Sequence, residues 1–385
     1  MRRPRESAGS LDLGSPFRAF ALLATAMDSA ATDATPDDRA RRIREEAHRL
    51  GFDAIAFARA EPLDVEYARY EEFLERGAHG RMAFLADDPE ARRGVDHKRF
   101  VPGARTVICT ATRTTAEEGE GVEALIARYA RGRDYHNALR RKLRKLARFV
   151  MTLGHADEEV VARGYVDAAP MLERAYAARS GLGFIGKNGL CIVPGLGSMV
   201  LLGEVVTTLE VRSGTPLEER CGSCTRCLDA CPTQAFDAPW VLDPRRCVAY
   251  LTIEHTGPFP EELEGRIGAH VFGCDDCQTA CPFNAGRATK EPLKESSLVP
   301  LPTWRGLTLG DLLRASDDEL RVHVDGTPLR RPGAEGLARN AAHVMGNTGS
   351  TKDLEELELA SRTHRYEVVR NAATRALDRL RARVT

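Results

Sequence analysis

Two features are missing from this 385-residue sequence, and each absence limits what the protein can be. No apolar run approaches the ~20 residues of a membrane-spanning helix, so the sequence predicts no membrane span. Charge of one sign is not in excess either, because 55 basic residues face 56 acidic ones and the formal net charge is −1. Any binding of nucleic acid must therefore come from local basic patches.

A convincing export signal is also lacking. Arg2 and Arg3 allow a twin-arginine signal as an alternative, but Pro4 follows them directly, and the apolar run at 19–26 is short for the ~7–15 residues of such a signal. We interpret residues 1–35 as a disordered extension, with Met27 as an alternative start, and predict a cytoplasmic protein.

Cysteine, by contrast, is concentrated in one stretch. Eight of the ten cysteines fall between Cys221 and Cys281, with the spacings Cys-x2-Cys-x2-Cys-x3-Cys-Pro and Cys-x2-Cys-x3-Cys-Pro and a single cysteine between the two runs. Bacterial ferredoxins use such runs to hold two [4Fe–4S] clusters, and the cysteine before proline completes the other cluster. One cluster is predicted on Cys221, Cys224, Cys227 and Cys281, and the second on Cys231, Cys247, Cys274 and Cys277.

Two other uses of these cysteines are weaker. A disulfide framework is typical of small secreted domains in an oxidising compartment. Zinc sites pair Cys-x2-Cys units without the step to Cys-Pro. Two adjacent clusters pass electrons one at a time, so the rest of the chain must house an acceptor. Cys109 and Cys191, outside the stretch, are predicted to be core thiols.

The segment before the cysteines alternates between helical and strand patterns, which indicates an α/β core domain over residues 36–210. Thr35 and Pro36 mark the first helix start. Helical patterns cover residues 36–50, 63–76, 135–152 and 170–180, and strand patterns cover 52–58, 105–110, 160–166 and 200–209. A ferredoxin-like domain over 211–290 and a linker over 291–309 follow.

A glycine-rich segment after the fourth predicted helix matches Gly-x-Gly-x-x-Gly at residues 181–186. A dinucleotide fingerprint must follow a strand and open a helix, whereas here a helix precedes it and a strand follows. Gly181 is better interpreted as the terminator of the helix. The other glycines allow backbone to approach a bulky ligand closely.

The last predicted domain, residues 310–385, contains an internal repeat. Arg339-Asn340-Ala341-Ala342 recurs 31 residues later as Arg370-Asn371-Ala372-Ala373, in Ala-rich amphipathic segments. Paired helices at this spacing suggest a short HEAT-like helical repeat. A plain helical cap and an arm whose arginines meet phosphates remain equal alternatives.

In this order the markers resemble the epoxyqueuosine reductase family over about residues 40–380. They are Arg128-Tyr129-Ala130, Asp134-Tyr135-His136, Val166-Asp167-Ala168-Ala169-Pro170, Gly183-Phe184-Ile185-Gly186-Lys187-Asn188, the cysteine runs, Arg246-Cys247 and Gly273-Cys274-Asp275-Asp276-Cys277-Gln278. The family usually has Thr-Gly or Ser-Gly where this chain has Ala168-Ala169. That departure concerns the geometry of the loop after Asp167.

The resemblance implies an oxidoreductase that removes the epoxide oxygen of epoxyqueuosine as water, at the wobble position of a tRNA with a GUN anticodon. It also implies two [4Fe–4S] clusters, a cob(II)alamin between the core and cluster domains, a low-potential electron donor and a monomer. The chain lacks Asp-x-His-x-x-Gly, so we expect no lower histidine ligand. The cobalamin contacts expected from matching neighbourhoods are Arg93, Ala130, Asp167, Arg174, Gly186, Lys187 and Asn188.

Asp167 is the predicted proton donor to the departing oxygen, because it follows a strand and precedes Pro170. We expect an apolar corrin wall to raise its pKa. A purely structural helix-capping role is the alternative for Asp167, and Asp134 is the second candidate acid. The expected tRNA contacts are Arg330, Arg331, Arg339 and Asn340. Two other functions stay open: a cobalamin-dependent reductive dehalogenase and a non-catalytic electron carrier.

Overall fold

The computed structural model describes residues 34–115, 117–155, 157–167, 169–285 and 291–384, so nearly all of the predicted extension lies outside it. A four-stranded antiparallel sheet organises the first half, with strand order β1-β2-β6-β3. The strands up to this point are β1 (Ala54–Arg59), β2 (Thr106–Arg113), β3 (Ala162–Tyr165), β4 (Phe184–Ile185), β5 (Cys191–Ile192) and β6 (Val200–Thr207). Strands β4 and β5 pair separately as a small hairpin. The predicted α/β core is therefore present.

Helices cover both faces of this sheet. They are α1 (Pro36–Arg49), α2 (Asp64–Glu75), α3 (Tyr135–Met151) and α4 (Glu173–Arg179). Thr35 caps α1 in a reciprocal box with Asp38, as the first-turn pattern predicts. The apolar stripe of α3, including Leu139 and Leu143, is fully buried against the sheet. Its basic residues fill the other positions of the helix.

The predicted start of α4 at Pro170 is wrong by three residues. The chain turns at Asp167, whose φ of 47° lies in the left-handed region. The Asp167 N–H then donates to the carboxylate of Glu173, the first helical residue, at 2.7 Å. This turn keeps Pro170 outside the helix. Gly181 does follow the helix end with φ 76°, as expected for a terminator.

The cysteine stretch forms short elements: α5 (Arg226–Asp229), β7 (Phe236–Ala238), β8 (Val241–Leu242), α6 (Val248–Ile253), α7 (Glu261–Glu264) and α8 (Asp276–Thr279). Helices α5 and α8 each run up to a Cys-Pro pair, and they pack against each other. The two cysteine runs are therefore brought together in space.

Five helices complete the chain: α9 (Leu309–Arg314), α10 (Asp317–Val324), α11 (Gly333–Thr348), α12 (Leu354–Thr363) and α13 (Glu367–Val384). Their core is shared with the segment 122–130 and with Val271 and Phe272. Trp304, fully buried, donates its indole N–H to the Arg131 carbonyl at 2.6 Å. One apolar core thus crosses all the predicted domain boundaries after residue 210. Across the described ranges, no helix is long and apolar enough to cross a membrane.

Candidate active site

Asp167 lies just after β3, and 57% of its side chain is exposed. The Tyr135 hydroxyl donates to its Oδ2. His136 Nε2 is 3.5 Å from the same oxygen. Both partners come from the first turn of α3, which packs on β3. Antiparallel packing of one helix on one strand therefore brings two proton-bearing side chains to the predicted acid.

Asp134 holds the other side of the histidine. Its Oδ1 is 2.8 Å from His136 Nδ1 and also accepts the His136 backbone N–H at 3.0 Å, which caps α3. The imidazole stacks on the Tyr135 ring, with the ring centroids 4.2 Å apart. His136 is thereby fixed between two carboxylates, with one ring nitrogen toward each. Asp134 is a positioning and capping residue in this geometry.

These contacts set the charges of the site. The hydrogen bond to Asp167 raises the pKa of His136 above its usual 6.5; desolvation opposes this, and Asp134 adds to the increase. Partial burial raises the pKa of Asp167, but the hydrogen bonds from His136 and Tyr135 outweigh it, so the net pKa lies below the usual value. The protein's own residues thus hold the pKa of Asp167 below its usual value and that of His136 above its usual value, and the expected increase in the Asp167 pKa by a corrin wall stays a prediction.

The predicted cofactor loop, residues 183–189, forms the β4–β5 turn beside α4. Arg174, exposed in the first turn of α4, donates to the Gly189 carbonyl, and its charge helps to lower the pKa of Asp167. Asn188 is buried, yet its amide Nδ2 has no hydrogen-bond partner among the described residues. A Cβ added to Gly186 would lie 2.5 Å from Ile192 Cδ1, so a larger residue would require the buried Ile192 side chain to move. The loop backbone thus packs closely on Ile192, and the Asn188 amide is a hydrogen-bond donor without a partner among the described residues.

The other three expected cobalamin contacts stay predictions. Ala130 is fully buried in the core shared with the C-terminal helices. The buried Lys187 amine donates to the carbonyls of Gly222 and Cys224, so it ties the cofactor loop to the first cysteine run instead. Arg93 is exposed and pairs with Asp64 at 2.8 Å.

The eight cysteines form two groups that fit the predicted crossed pairing. Burial raises the pKa of Cys227, and the neighbouring Cys281 and Cys224 raise it further. Burial likewise raises the pKa of Cys277, and so do Cys247, Cys227 and Cys231 in decreasing order, so the two groups also lie close to each other. Thiols whose charges act on one another in this way lie close together. One group holds the first three cysteines of the first run with Cys281, and the other holds the first two cysteines of the second run with Cys231 and Cys247. All eight are free thiols.

His270 is a neighbour of the second group that sequence reasoning missed. Its Nε2 lies 3.0 Å from Asp276 Oδ2 and 3.7 Å from the sulfur of Cys274. The three side chains lie within 4.8 Å of one another. A single histidine four residues before a cysteine carries no distinctive signal in the sequence. It is placed to donate a hydrogen bond to a ligand of the second predicted cluster.

Two of the four expected tRNA contacts are wrong, because their side chains are buried. Arg339 is 2% exposed and Asn340 is fully buried in α11. The Arg339 guanidinium donates to the carbonyls of Leu251, His255 and Gly257. The Asn340 amide donates to the carbonyls of Thr252 and Val271. Both side chains therefore join α11 to the cysteine-bearing segment and cannot reach phosphate.

The other two expected contacts remain on the surface. Arg331 pairs with Glu254 at 2.9 Å, and 55% of its side chain is exposed. Arg330 is 62% exposed and lies 3.4 Å from Asp325. The second copy of the repeat also differs from the first, because Asn371 is exposed and Arg370 donates to the His364 carbonyl. The assignment to a HEAT-like repeat stays a prediction.

Comparison with known families yields two matches along the chain. Residues 95–168 match the family described as "Epoxyqueuosine reductase QueG, DUF1730". Residues 220–284 match the "4Fe-4S double cluster binding domain". The first match ends just beyond Asp167 and contains Asp134, Tyr135 and His136, and the second contains all eight cysteines of the two groups.

Curated relatives match most of the chain. The epoxyqueuosine reductase of Gloeobacter violaceus is 41% identical over 81% of this chain and 97% of its own length. That of Xanthomonas campestris pv. campestris is 38% identical over 86% of this chain and 92% of its own.

Solved structures give the same result. An epoxyqueuosine reductase crystallised with an epoxyqueuosine-modified tRNA-Tyr stem loop has a TM-score of 0.79 and 29% identity, covering 88% of this chain and 89% of that one. The Bacillus subtilis enzyme, solved with its aspartate catalytic loop swung out of the active site, has a TM-score of 0.78 and 29% identity, covering 88% and 90%. Catabolic reductive dehalogenase chains reach only 0.31 at 20% identity, which supports no argument about function.

Proposed function

The chain belongs to the epoxyqueuosine reductase family, and from that premise we propose that it reduces epoxyqueuosine to queuosine in tRNA. One observation carries the proposal: Arg174, whose charge acts on Asp167, binds the loop that Lys187 ties to the first cysteine run. A continuous set of contacts thus links the acid, the cofactor loop and the first cysteine run. A non-catalytic electron carrier has no need of this connection.

The reaction requires two electrons and two protons, because the epoxide oxygen leaves as water and a carbon–carbon double bond remains. An oxygen departing as alkoxide is a poor leaving group, so a positioned acid must protonate it. The contacts from Tyr135 and His136 both meet Oδ2 of Asp167. We infer that the proton held on His136 passes to Asp167 and then to the departing oxygen. Asp134 keeps His136 in the required orientation and charge.

The chain's residues fit the cobalamin that the family resemblance implies. Asn188 offers its unused amide donor, Gly186 lets the loop backbone pack closely on Ile192, and Arg174 supplies a positive charge at the same edge. Asp134 and Asp167 occupy both ring nitrogens of His136, so this histidine is not a free lower ligand. When bound, cobalamin supplies a metal centre that accepts electrons singly and delivers a pair.

The two groups of four thiols fit two [4Fe–4S] clusters, which carry single electrons. Lys187 positions the first run by binding the Gly222 and Cys224 carbonyls. His270, beside Cys274, is placed to influence the second cluster through a hydrogen bond. A low-potential donor feeds this chain of centres.

For the tRNA, we propose that Arg330 and Arg331 contact the phosphate backbone, since both are exposed and basic. The substrate base must leave its stack to reach Asp167, because chemistry on a stacked base is blocked. The crystallised relative with a modified tRNA stem loop supports a substrate of this kind. Such a substrate also favours a cytoplasmic protein, and a monomer is our expectation.

The test is a turnover assay on reconstituted protein. The chain, loaded with iron, sulfide and cobalamin under anaerobic conditions, is incubated with a reductant and tRNA carrying epoxyqueuosine. Mass spectrometry of the digested nucleosides should show loss of one oxygen and formation of queuosine. Unchanged epoxyqueuosine with fully loaded protein would overturn the proposal. Protein without cobalamin serves as the control.

A further inference from the structure

Behind Asp167 lie two glutamates that the proposed chemistry does not use. Glu173 begins α4, and its Oε1 accepts the Asp167 backbone N–H at 2.7 Å. Asp167 has φ 47°, a left-handed conformation that is uncommon for a residue with a side chain. Such a conformation persists only where the surroundings hold it. Among the described residues, the Glu173 carboxylate is the side chain that binds this backbone group.

Glu204 lies deeper, in the central strand β6. It is paired in register with Cys109 of β2 and Tyr165 of β3, and it is 0% exposed. Neither of its carboxylate oxygens makes a hydrogen bond of ordinary geometry within the described part of the chain. A lone acid in an apolar strand costs stability unless it is neutral or has a partner. Its position therefore calls for an explanation.

The acidic neighbour of Glu204 is Glu173. Burial raises the pKa of Glu204 well above the usual value, and the nearby charge of Glu173 raises it further. Burial and the charge of Asp167 raise the pKa of Glu173 to about 7, although the Asp167 N–H opposes this. The two carboxyl groups are therefore neighbours, and burial disfavours the charged form of both. No lysine or arginine forms an ion pair with either glutamate across the described ranges. The nearest basic group, Arg174, binds the Gly189 carbonyl instead.

We propose that Glu173 is a positioning residue that latches the Asp167 loop in its productive left-handed turn, with the buried Glu204 carboxyl as its neighbour in strand β6. The proposal rests on the proposed reductase activity only for its catalytic consequence. A bond from Glu173 to the Asp167 backbone fixes the turn, and the turn directs the side chain toward Tyr135 and His136. Without the latch, the turn has less to hold it and Asp167 leaves its proton-bearing partners.

A pair of substitutions at Glu173 separates the latch from general packing. Glu173→Ala removes the acceptor, whereas Glu173→Gln keeps an amide oxygen in the same place. We expect kcat of Glu173→Ala to fall about tenfold, since small displacements of a catalytic group are costly. Its KM for tRNA and its iron content should not change. Glu173→Gln should recover most of the loss.

Hydrogen–deuterium exchange of the peptide around Asp167 gives a readout that does not depend on turnover. The Asp167 amide should exchange faster in Glu173→Ala than in the parent, and at the parent rate in Glu173→Gln. Glu61→Ala is the matched control, because Glu61 is an exposed carboxylate that pairs with Arg59. That control should change neither exchange nor kcat.

Glu204→Gln tests the buried member of the pair. Glutamine has nearly the same shape as glutamate and carries no charge, so this variant should retain parent kcat and exchange. A loss in Glu204→Gln as large as that in Glu173→Ala would show that the Glu204 carboxyl itself holds the loop and would overturn the assignment of the latch to Glu173.

The latch is refuted if amide exchange at Asp167 is the same in parent and Glu173→Ala, or if Glu173→Gln loses as much kcat as Glu173→Ala. A rise in KM at constant kcat also counts against it. Failure of the parent to reduce epoxyqueuosine refutes the proposed function instead, and the exchange measurements still decide whether the latch exists.

Discussion

The cysteine stretch and the acid site are built in opposite ways. All eight cluster ligands come from the 61 positions between Cys221 and Cys281, and two short helices suffice to bring the runs together. The acid site takes Asp167 from a loop, Tyr135 and His136 from α3, and Glu173 from α4. The difference teaches that ligation is encoded locally in this chain, whereas proton chemistry depends on how α3 and α4 dock on the sheet.

The largest effect expected is loss of a cluster without loss of the acid site. Cys247→Ala should lower the iron content from about eight to about four per chain, because it removes one ligand of one cluster. Turnover should be abolished, since the electron path is broken. Iron analysis and the nucleoside assay measure both. Cys109→Ala, a buried thiol outside the two groups, is the control and should keep all the iron. Eight irons in Cys247→Ala would remove Cys247 from the ligand set.

The converse change should spare the clusters. Asp167→Asn should lower turnover by about 10²–10⁴-fold, the usual contribution of a positioned acid. Iron content and tRNA affinity should match the parent, because Asp167 contacts neither cysteine group. Absorbance of the clusters and single-turnover kinetics provide the measurement. Near-normal turnover would transfer the acid role to another group, and Asp134 would be examined first.

A third test asks whether an arginine serves docking or recognition. Arg339→Ala should lower the free energy of unfolding by about 3 kcal/mol, because buried carbonyl groups lose their charged donor. Arg331→Ala, at an exposed ion pair, should change that free energy by less than about 0.5 kcal/mol. It should instead weaken tRNA binding and reduce the salt dependence. Denaturant unfolding and binding titrations at several salt concentrations separate the two. Equal stability of both variants would contradict the burial argument.

The smallest expected effect is on the pH profile. The pKa of His136 is raised, so the imidazolium persists above pH 6.5 and turnover should fall only as pH rises through that higher value. Asp134→Asn removes one of the two anionic partners, which should lower the pKa of His136 and move the alkaline limb to lower pH. Single-turnover rates against pH measure this. A limb that stays in place would show that another group sets it.

The sequence predicts the local parts of this molecule well. The first helix, its cap and the buried stripe of α3 follow from capping chemistry and periodicity, and the cluster cysteines follow from spacing. Asp167 was predicted as the acid from its position between a strand and Pro170, with a capping role as the weaker alternative, and the family resemblance strengthened that prediction. Its actual partners depend on tertiary packing. Asp134-Tyr135-His136 stood out as a marker, but no pattern indicated that Tyr135 and His136 reach Asp167.

Two residues show where pattern fails for a physical reason. Arg339 is of a residue type that usually lies on the surface and binds phosphate. In this fold its guanidinium instead donates hydrogen bonds to main-chain carbonyls between two packed segments. Glu204 is a single acid in an otherwise apolar strand, and that anomaly was a visible signal. Neither burial can be predicted without knowing which surfaces meet.

The apolar core that joins residues 122–130 to the C-terminal helices has a genetic consequence. A premature stop that removes α11 to α13 does not yield a smaller working enzyme lacking an accessory arm. It strips the cover from Ile126, Val271 and Phe272, each almost fully buried in the intact chain. We expect such an allele to produce insoluble or rapidly degraded protein, so nonsense mutations near the 3′ end of the gene should be as severe as those near its start.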